Sequence, residues 1–387
     1  MADPDVWLRA ATKTDGESYY EYVLMYVDDI LSIYCDTHSI LEEIQGTFNF
    51  KNGKIETPEF YLGAKLQKKL IYGIQCWTIS SQDYVKAAVK NVEETIKKSG
   101  RRLPTSNVDT PMNTTFSPEL DVTEELNDDD TTYFRELIGV LRWATEIGRV
   151  DLLLEVSLLS QYQASPREGH LEQALHVFAF LKKHPKLTLY MSPELPRIEY
   201  GDFRANKEDF VEMYRDAEEL LPHKMPVSRG RSITMTAFVD DSHAANTVTR
   251  RSHSGYAVFI NRAPVVWYSK QQNTVETSTF PLNSLRLRYV SKRLSTYDLN
   301  CDALVYPFPV ESLPCFCDNE SVVKNTSNVE STLNKKHSSV AYHHCRWSVA
   351  AGVITLAHIS THDNIADCFT KRLPISTRNH LFGSWTY

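Results

Sequence analysis

The sequence lacks the long apolar runs, the paired cysteines and the basic excess that would place it in several common classes of protein. No stretch approaches the roughly 18 consecutive apolar residues that a membrane-spanning helix needs. The first residues, Met1 to Asp5, are acidic where a secretory signal peptide is basic. We therefore expect an intracellular protein, cytoplasmic or nuclear, that is not secreted and has no membrane partner.

Seven cysteines are scattered along the 387 residues, an odd number that argues against a disulfide framework and fits a reducing compartment. Cys315, Cys317, His343, His344 and Cys345 could suggest zinc, but no pair among them has the spacing of a zinc knuckle. The net charge is −7, which argues against a protein that coats nucleic acid. Any contact with nucleic acid must come from local basic patches, such as Arg250-Arg251 and Lys335-Lys336.

What is present is apolar material: 42% of the residues are hydrophobic, enough for two or three globular domains. Residues up to about 79 predict strands and short turns, and the apolar spacing after Ser80 predicts a helix that ends near Gly100. Residues 101–130 are rich in Pro, Thr, Ser, Asn and acids and predict a linker.

The second half of the chain predicts helices first and strands later. Apolar residues recur at helical spacing in 133–144 and again in 171–181. Residues 192–230 show no period and predict a loop-rich connection. Three runs between 232 and 268 then alternate or cluster as strands do.

Two adjacent carboxylates, Asp28 and Asp29, lie between the apolar runs 22–25 and 30–33. This pattern predicts a hairpin whose turn presents both acids. Hard oxygen ligands held this close suit Mg²⁺, which indicates a phosphoryl-transfer site. The alternative is an ordinary hairpin turn, because aspartate is a favoured turn residue for local hydrogen-bonding reasons.

Tyr26-Val27-Asp28-Asp29 between two strands resembles the palm hairpin of reverse transcriptases, and Phe60 to Lys65 resembles the strand that follows it in copia-type retrotransposons. Residues 133–139 and 170–181 are also similar to that family, so the resemblance covers nearly the whole chain. For the parent polyprotein it implies RNA-directed DNA synthesis and cleavage of RNA in RNA–DNA hybrids. The implied partners are a template–primer or hybrid nucleic acid and other parts of the retroelement polyprotein.

The resemblance also implies a mixed α/β (α+β) architecture with a ribonuclease H-like mixed sheet and helices. The expected parts are a truncated palm and thumb side at 1–100, the linker at 101–130, a helical connection at 131–190, a loop-rich connection at 191–230 and a ribonuclease H-like domain at 231–387.

Three further acids match the metal ligands of the ribonuclease H in that family. Asp240 stands at the end of the first strand, Asp318 follows Phe316-Cys317, and Asp367 lies in the run from Asn364 to Lys371. Each acid alone is more often a solvated surface group, and it is their order and flanking motifs that favour a site. The resemblance implies that Asp28, Asp29, Asp240, Asp318 and Asp367 are catalytic and bind Mg²⁺ in two-metal sites.

The chain departs from the family where a helix should supply the fourth ligand, a glutamate. Here the sequence reads Pro281 to Arg286, with neutral Asn283 at that place. Codons compatible with residues 282–286, read one base earlier, encode Ser-Glu-Phe-Val-Ala, as the family has it. We hypothesise a frameshifted stretch at about 281–314, with the family frame restored near Phe316; the alternative is a genuinely divergent loop.

These departures predict weak chemistry. In the family the third palm aspartate and the fingers would precede residue 1, so we expect no polymerase activity. Loss of one ligand and of the helix packing that aims the others predicts a dead or weak nuclease. The alternative function is a non-catalytic relic that binds hybrid or single strands through basic patches, with salt-sensitive affinity.

Overall fold

The computed structural model describes residues 5–27, 29–33, 35–50, 55–113, 115–199, 203, 207–218, 227–273, 275, 312–331, 339–383 and 385–386. Several features of the sequence analysis lie outside the described residues: Asp28, most of the suspected frameshift including Asn283, and Lys335-Lys336.

The N-terminal residues form a small antiparallel sheet in the order β1-β2-β3, made of β1 (Val6–Thr12), β2 (Ser18–Tyr26) and β3 (Asp29–Ile33). The predicted hairpin is the β2–β3 pair. Its hydrophobic core is small: the buried cluster consists of Tyr20 and Tyr22, against which Val6, Leu8 and Leu24 pack. Helix α1 (Thr37–Gln45) follows and was not predicted, because it is short and buries only Ile40.

A middle body combines a second antiparallel sheet with packed helices. The sheet runs β4 (Phe60–Tyr61), β5 (Ala64–Ile71), β6 (Ile74–Ser80) and β7 (Thr188–Met191). The predicted helices are confirmed as α2 (Gln82–Lys98), α3 (Asp128–Glu146) and α5 (Glu168–Lys183), while α4 (Leu153–Leu159) is an addition. Strand β7 pairs with β6, so segments far apart in sequence complete one sheet.

The irregular segment between α2 and α3 is part of this body. It contains one short 3-10 turn, Pro118–Leu120. Leu103, Val108 and Met112 are buried in the same core as the apolar faces of α2, α3 and α5. Burial of these three side chains packs the segment predicted as a linker against the helices.

The C-terminal part is built on a five-stranded mixed sheet in the order β10-β9-β8-β11-β12. Strands β8 (Met235–Ser242), β9 (His253–Ile260) and β10 (Ala263–Gln271) are antiparallel neighbours, as predicted. Strands β11 (Leu313–Cys317) and β12 (Ile354–His358) run parallel to β8. This mixed sheet and the helices of the chain confirm the mixed α/β prediction.

Among the described residues, three helices follow β10 in the sequence: α6 (Glu320–Ser327), α7 (Ser339–Ala350) and α8 (Ile375–Gly383). The core on one face includes Phe210, which lies in a 3-10 turn at Lys207–Phe210. The segment expected to be a loop-rich connection therefore contributes a fully buried side chain to the C-terminal core.

The middle body and the C-terminal sheet share a core. Val150 and Leu189 belong to one buried cluster with Ala257, Phe259 and Trp385. An ion pair also joins α8 to α4 across this boundary: Arg378 Nη1 donates to Glu155 Oε1 at 3.0 Å, and both side chains are buried. In the described part of the chain, no helix is long and apolar enough to cross a membrane.

Candidate metal centre

Three aspartates that are far apart in sequence meet at the carboxyl ends of β8 and β11. The parallel pairing sets Val239 beside Cys317, so the next residues of the two strands, Asp240 and Asp318, lie side by side. Asp367 joins them from a 3-10 turn at Ile365–Phe369. One carboxylate oxygen from each acid lies within 4.8 Å of the others. No other group of three metal-ligating side chains is found among the described residues.

The turn that carries Asp367 is fixed to the sheet from two sides. Asn364 caps it, accepting from Ala366 N at 3.2 Å, and donates from its Nδ2 to Val239 O at 3.1 Å. Gly255, opposite Asp240 on β9, lies directly beneath the turn. A Cβ at this glycine would lie 2.7 Å from Phe369 Cβ, so only glycine allows the turn to approach this closely.

Asp318 is held by its loop neighbours. Thr361 Oγ1 donates to Asp318 Oδ2 at 3.1 Å, and the His358 ring lies 3.2 Å from the Asp318 carbonyl oxygen. The side chain is about 10% exposed, whereas those of Asp240 and Asp367 are about 3% exposed. Asp318 is therefore the acid of the cluster that faces solvent most.

Two residues that sequence analysis did not assign to the site complete it. The Thr370 hydroxyl donates to Asp240 Oδ2. The Lys371 ammonium lies 3.0 Å from Asp367 Oδ1 and 3.2 Å from Asp240 Oδ2. Thr370 and Lys371 both follow Asp367 in the motif used for the resemblance. Lys371 is four positions after Asp367, a spacing that sets an acid and a basic residue on the same side of a helical turn.

The electrostatics follow from burial and crowding. Burial raises the pKa of Asp240, the Lys371 charge opposes this, and the Asp318 charge adds to it. Burial, and then the charge of Asp240, raises the pKa of Asp367 to about 7. Burial lowers the pKa of Lys371, but the charges of Asp240 and Asp367 outweigh it and the net shift is upward. Crowded carboxylates with too little positive charge are a donor set that suits a hard divalent cation.

The hairpin acids have a different setting. Tyr26 pairs with Asp29, which leaves two positions for the turn. The first of them, Val27, is 93% exposed and has φ of 55°, a left-handed conformation that β-branched residues rarely adopt. Asp29 is exposed, and Asp28 lies outside the described residues. The structure therefore brings together three of the five expected site residues and leaves Asp29 apart from that cluster.

One of the two expected basic patches lies beside the acid cluster. Arg251 lines a cleft of about 180 Å³ between the middle body and the C-terminal sheet, together with Gln161, Lys371 and Arg372. The other patch and the position of the missing glutamate lie outside the described residues. Within the suspected frameshift, Leu313 and Pro314 are described, and they already pair in register with Ile354 and Thr355 of β12.

No protein-family model matches the chain. It is 25% identical over 357 residues to the retrovirus-related Pol polyprotein from transposon RE1 of Arabidopsis thaliana, covering 91% of this chain and 20% of that protein. The chain is a homologue of copia-type transposon Pol polyproteins. The Pol polyprotein from transposon RE2 of the same plant is 26% identical, covering 91% of this chain and 21% of its own length. The chain thus spans about a fifth of these two Pol polyproteins.

A transposon Ty5-1 protein of Saccharomyces cerevisiae is 27% identical over 278 residues, covering 70% of this chain and 71% of that protein. Among solved structures, the N-terminal RNase H domain of a Mycobacterium tuberculosis protein covers 40% of this Pol homologue at a TM-score of 0.28 and 9% identity. RNase H1 from Halobacterium salinarum covers 36% at a TM-score of 0.28 and 12% identity. These domains are covered over 96% and 95% of their own lengths.

Proposed function

We propose that this chain is the reverse transcriptase and ribonuclease H part of a copia-type retrotransposon polyprotein, and that its acid cluster cleaves RNA in RNA–DNA hybrids weakly and with Mg²⁺. The observation that carries the proposal is the convergence of Asp240, Asp318 and Asp367 within 4.8 Å at the carboxyl ends of the neighbouring strands β8 and β11 of a ribonuclease H-like sheet. The Pol polyprotein relatives support the same assignment.

The donor set fits a magnesium site. Asp240, Asp318 and Asp367 would hold the ion, since all three offer hard carboxylate oxygens and burial leaves Asp240 and Asp367 short of compensating charge. A bound divalent cation supplies an activated water and stabilises the oxygen that leaves the sugar-phosphate bond. The protein's own part is to aim the acids: Thr370 fixes Asp240, and Thr361 fixes Asp318.

Weak activity follows from the fourth position. Neutral Asn283 stands where the resemblance places a glutamate, so one anionic ligand is lost. Misplacement of a catalytic group by about 1 Å lowers rates on the order of 100-fold, and loss of a ligand together with its supporting helix acts in the same direction.

We do not extend the proposal to polymerisation. Asp29 is exposed on an outlying sheet, and no group of three metal-ligating side chains forms around it in the described ranges. An exposed carboxylate on one turn holds a divalent cation loosely, because nothing fixes its geometry. The proposed partner is therefore an RNA–DNA hybrid at the C-terminal sheet.

Buried thiols at Cys76 and Cys368 fit an intracellular location.

The test is cleavage of an RNA–DNA hybrid whose RNA strand is labelled, in Mg²⁺ and in EDTA. The variant Asp240→Asn removes a buried ligand, and Asp29→Asn is the matched control because it changes an exposed acid in the hairpin. We expect slow cleavage that needs Mg²⁺, disappears in Asp240→Asn and persists in Asp29→Asn.

The same preparations separate the enzyme from the relic. Absence of Mg²⁺-dependent cleavage above the Asp240→Asn background at high enzyme concentration would refute the nuclease proposal. Hybrid affinity, measured by fluorescence anisotropy over a range of salt, would then decide whether a salt-sensitive binding function remains.

A further inference from the structure

One ammonium group contacts the whole acid cluster. Lys371 Nζ lies 3.0 Å from Asp367 Oδ1, 3.2 Å from Asp240 Oδ2 and 3.7 Å from Asp318 Oδ2. The three carboxylates therefore share a single positive charge, and no other cation contacts them among the described residues. Without that charge, three acids this close would repel one another.

The backbone holds the lysine where it can reach all three. Lys371 N donates to Asp367 O at 2.9 Å, which closes a helical turn and sets the two side chains on the same side. The neighbouring Thr370 hydroxyl donates to Asp240. The contact is thus fixed by a turn that Asn364 and Gly255 anchor to the sheet.

The lysine is not enclosed. Its side chain is 34% exposed, and it lines the cleft of about 180 Å³ that Arg251 and Arg372 also line. A flexible four-carbon stem can swing into such a cleft without disturbing the sheet. The ammonium can therefore leave the acids while the fold stays intact.

We propose that Lys371 is a built-in counter-ion: it keeps the three carboxylates assembled when no metal is bound, and a divalent cation binds by displacing it. The proposal rests on the proposed magnesium site and adds a residue that regulates its occupancy. It makes Lys371 a positioning residue whose charge competes with the metal.

The experiment measures Mg²⁺ binding by titration calorimetry and thermal stability in EDTA, both at pH 8. Lys371→Met removes the charge and keeps the stem, and Lys371→Arg keeps the charge. Lys324→Met is the matched control, because Lys324 forms an exposed ion pair with Glu320 in the same part of the chain.

We expect Lys371→Met to melt at a lower temperature in EDTA and to bind Mg²⁺ with a Kd about tenfold lower than that of the unaltered protein. Lys371→Arg and Lys324→Met should bind Mg²⁺ as the unaltered protein does. Equal Mg²⁺ affinity in Lys371→Met and the unaltered protein would refute the displacement. If neither protein bound Mg²⁺, the metal site itself would be wrong, and the displacement would be refuted with it.

A second measurement needs no variant. Acetylation of lysines by an amine-reactive reagent, followed by mass spectrometry, reports how accessible the Lys371 amine is. We expect Lys371 to react slowly in EDTA and several-fold faster in saturating Mg²⁺, with Lys324 unchanged. A Lys371 rate that Mg²⁺ does not change would contradict the exchange, even if Lys371→Met failed to fold.

Discussion

The two groups of aspartates differ in how many parts of the chain position them. Asp29 belongs to a single hairpin, in a sheet whose buried core is Tyr20 and Tyr22. Asp240 and Asp318, by contrast, are set side by side by two parallel strands inside a five-stranded sheet. Asp367 is added from a turn that is pinned to that sheet.

Adjacency in sequence and preorganisation in space are therefore separate properties. The Asp28-Asp29 pair is the more conspicuous motif in the sequence, but Asp29 remains exposed to solvent. The acids that the fold crowds together are separated by 78 and 49 positions in the sequence (318 − 240 and 367 − 318). Burial raises the pKa of Asp240 and of Asp367, and the three acids share one ammonium group, that of Lys371.

The largest expected effect on Mg²⁺ binding comes from removing a cluster acid. Asp318→Asn should abolish the rise in melting temperature that Mg²⁺ gives, because the most exposed of the three ligands is lost. At about 100 times its Kd, a ligand stabilises a protein by about 2.7 kcal/mol. Asp29→Asn should leave that rise intact. Scanning calorimetry with and without Mg²⁺ measures the melting temperatures of both variants. If Asp29→Asn lost the rise that Mg²⁺ gives, the hairpin acid would contribute to metal binding, contrary to this comparison of the two groups.

The buried ion pair between α8 and α4 should dominate the stability of the C-terminal part. Arg378→Met leaves Glu155 buried without its ion-pair partner. Burial raises the pKa of Glu155, and the charge of Arg378 opposes that rise in the unaltered protein. We expect a loss of about 3–5 kcal/mol in the free energy of unfolding, measured in urea. Arg9→Met removes a half-exposed pair with Glu21 in the N-terminal sheet and should lose less than about 1 kcal/mol. Equal losses would contradict this account.

Gly255 tests whether the turn that carries Asp367 needs its close approach. Gly255→Ala should destabilise the protein by about 1–3 kcal/mol and weaken Mg²⁺ binding, because the added methyl group meets Phe369 and Thr370. Gly139→Ala is the control, since its Cβ meets no atom within 4 Å on helix α3, and it should stabilise by about 0.5–1 kcal/mol. If Gly255→Ala changed neither the stability nor the Mg²⁺ affinity, the turn would be able to accommodate a methyl group at this position.

The titration of Asp367 predicts a pH dependence. Its pKa is about 7 in the folded protein and about 3.9 in an unfolded chain, so between these values the folded state binds more protons. The free energy of unfolding in EDTA should therefore fall as pH rises from about 4 to 7, by at most about 1.4 kcal/mol per pH unit from this group. Asp367→Asn should lack that component. Parallel slopes for both proteins across this range would contradict the raised pKa.

The smallest effect concerns the hairpin. Val27→Asn should stabilise the β2–β3 pair by about 1 kcal/mol, because asparagine tolerates the left-handed conformation that Val27 adopts at φ of 55°. The valine side chain is 93% exposed, so little packing is lost. Hydrogen exchange of the β2 and β3 amides measures the change, and Mg²⁺ affinity should stay the same. Faster exchange in the variant would show that Val27 makes contacts that matter.

Sequence patterns predicted the elements that have a clear period. Helices α2, α3 and α5 carry apolar stripes, and β8, β9 and β10 are rich in strand-forming residues, so local sequence determines them. The pairing of β7 with β6 could not be predicted, since it joins residues that are about 110 positions apart. Tertiary contacts, which single-sequence patterns do not encode, decide such pairings.

The same distinction holds at the candidate site. The motif order suggested Asp240, Asp318 and Asp367, but it assigned no role to Lys371, whose contacts with all three depend on where β8 and β11 lie. Gly255 gave no signal either, because its importance comes from a turn more than 100 residues later. The acids could be proposed from motifs, whereas the residues that position and neutralise them required the packed structure.

We propose that divalent cations bind at the acid cluster and not at the hairpin. A direct test is paramagnetic broadening of backbone amide signals by trace Mn²⁺ in the isotope-labelled 387-residue chain. We expect amides next to Asp240, Asp318 and Asp367 to broaden first, while those of Tyr26 and Asp29 stay sharp at the same Mn²⁺ level. Broadening that begins at Tyr26 and Asp29 and spares the cluster would contradict this proposal.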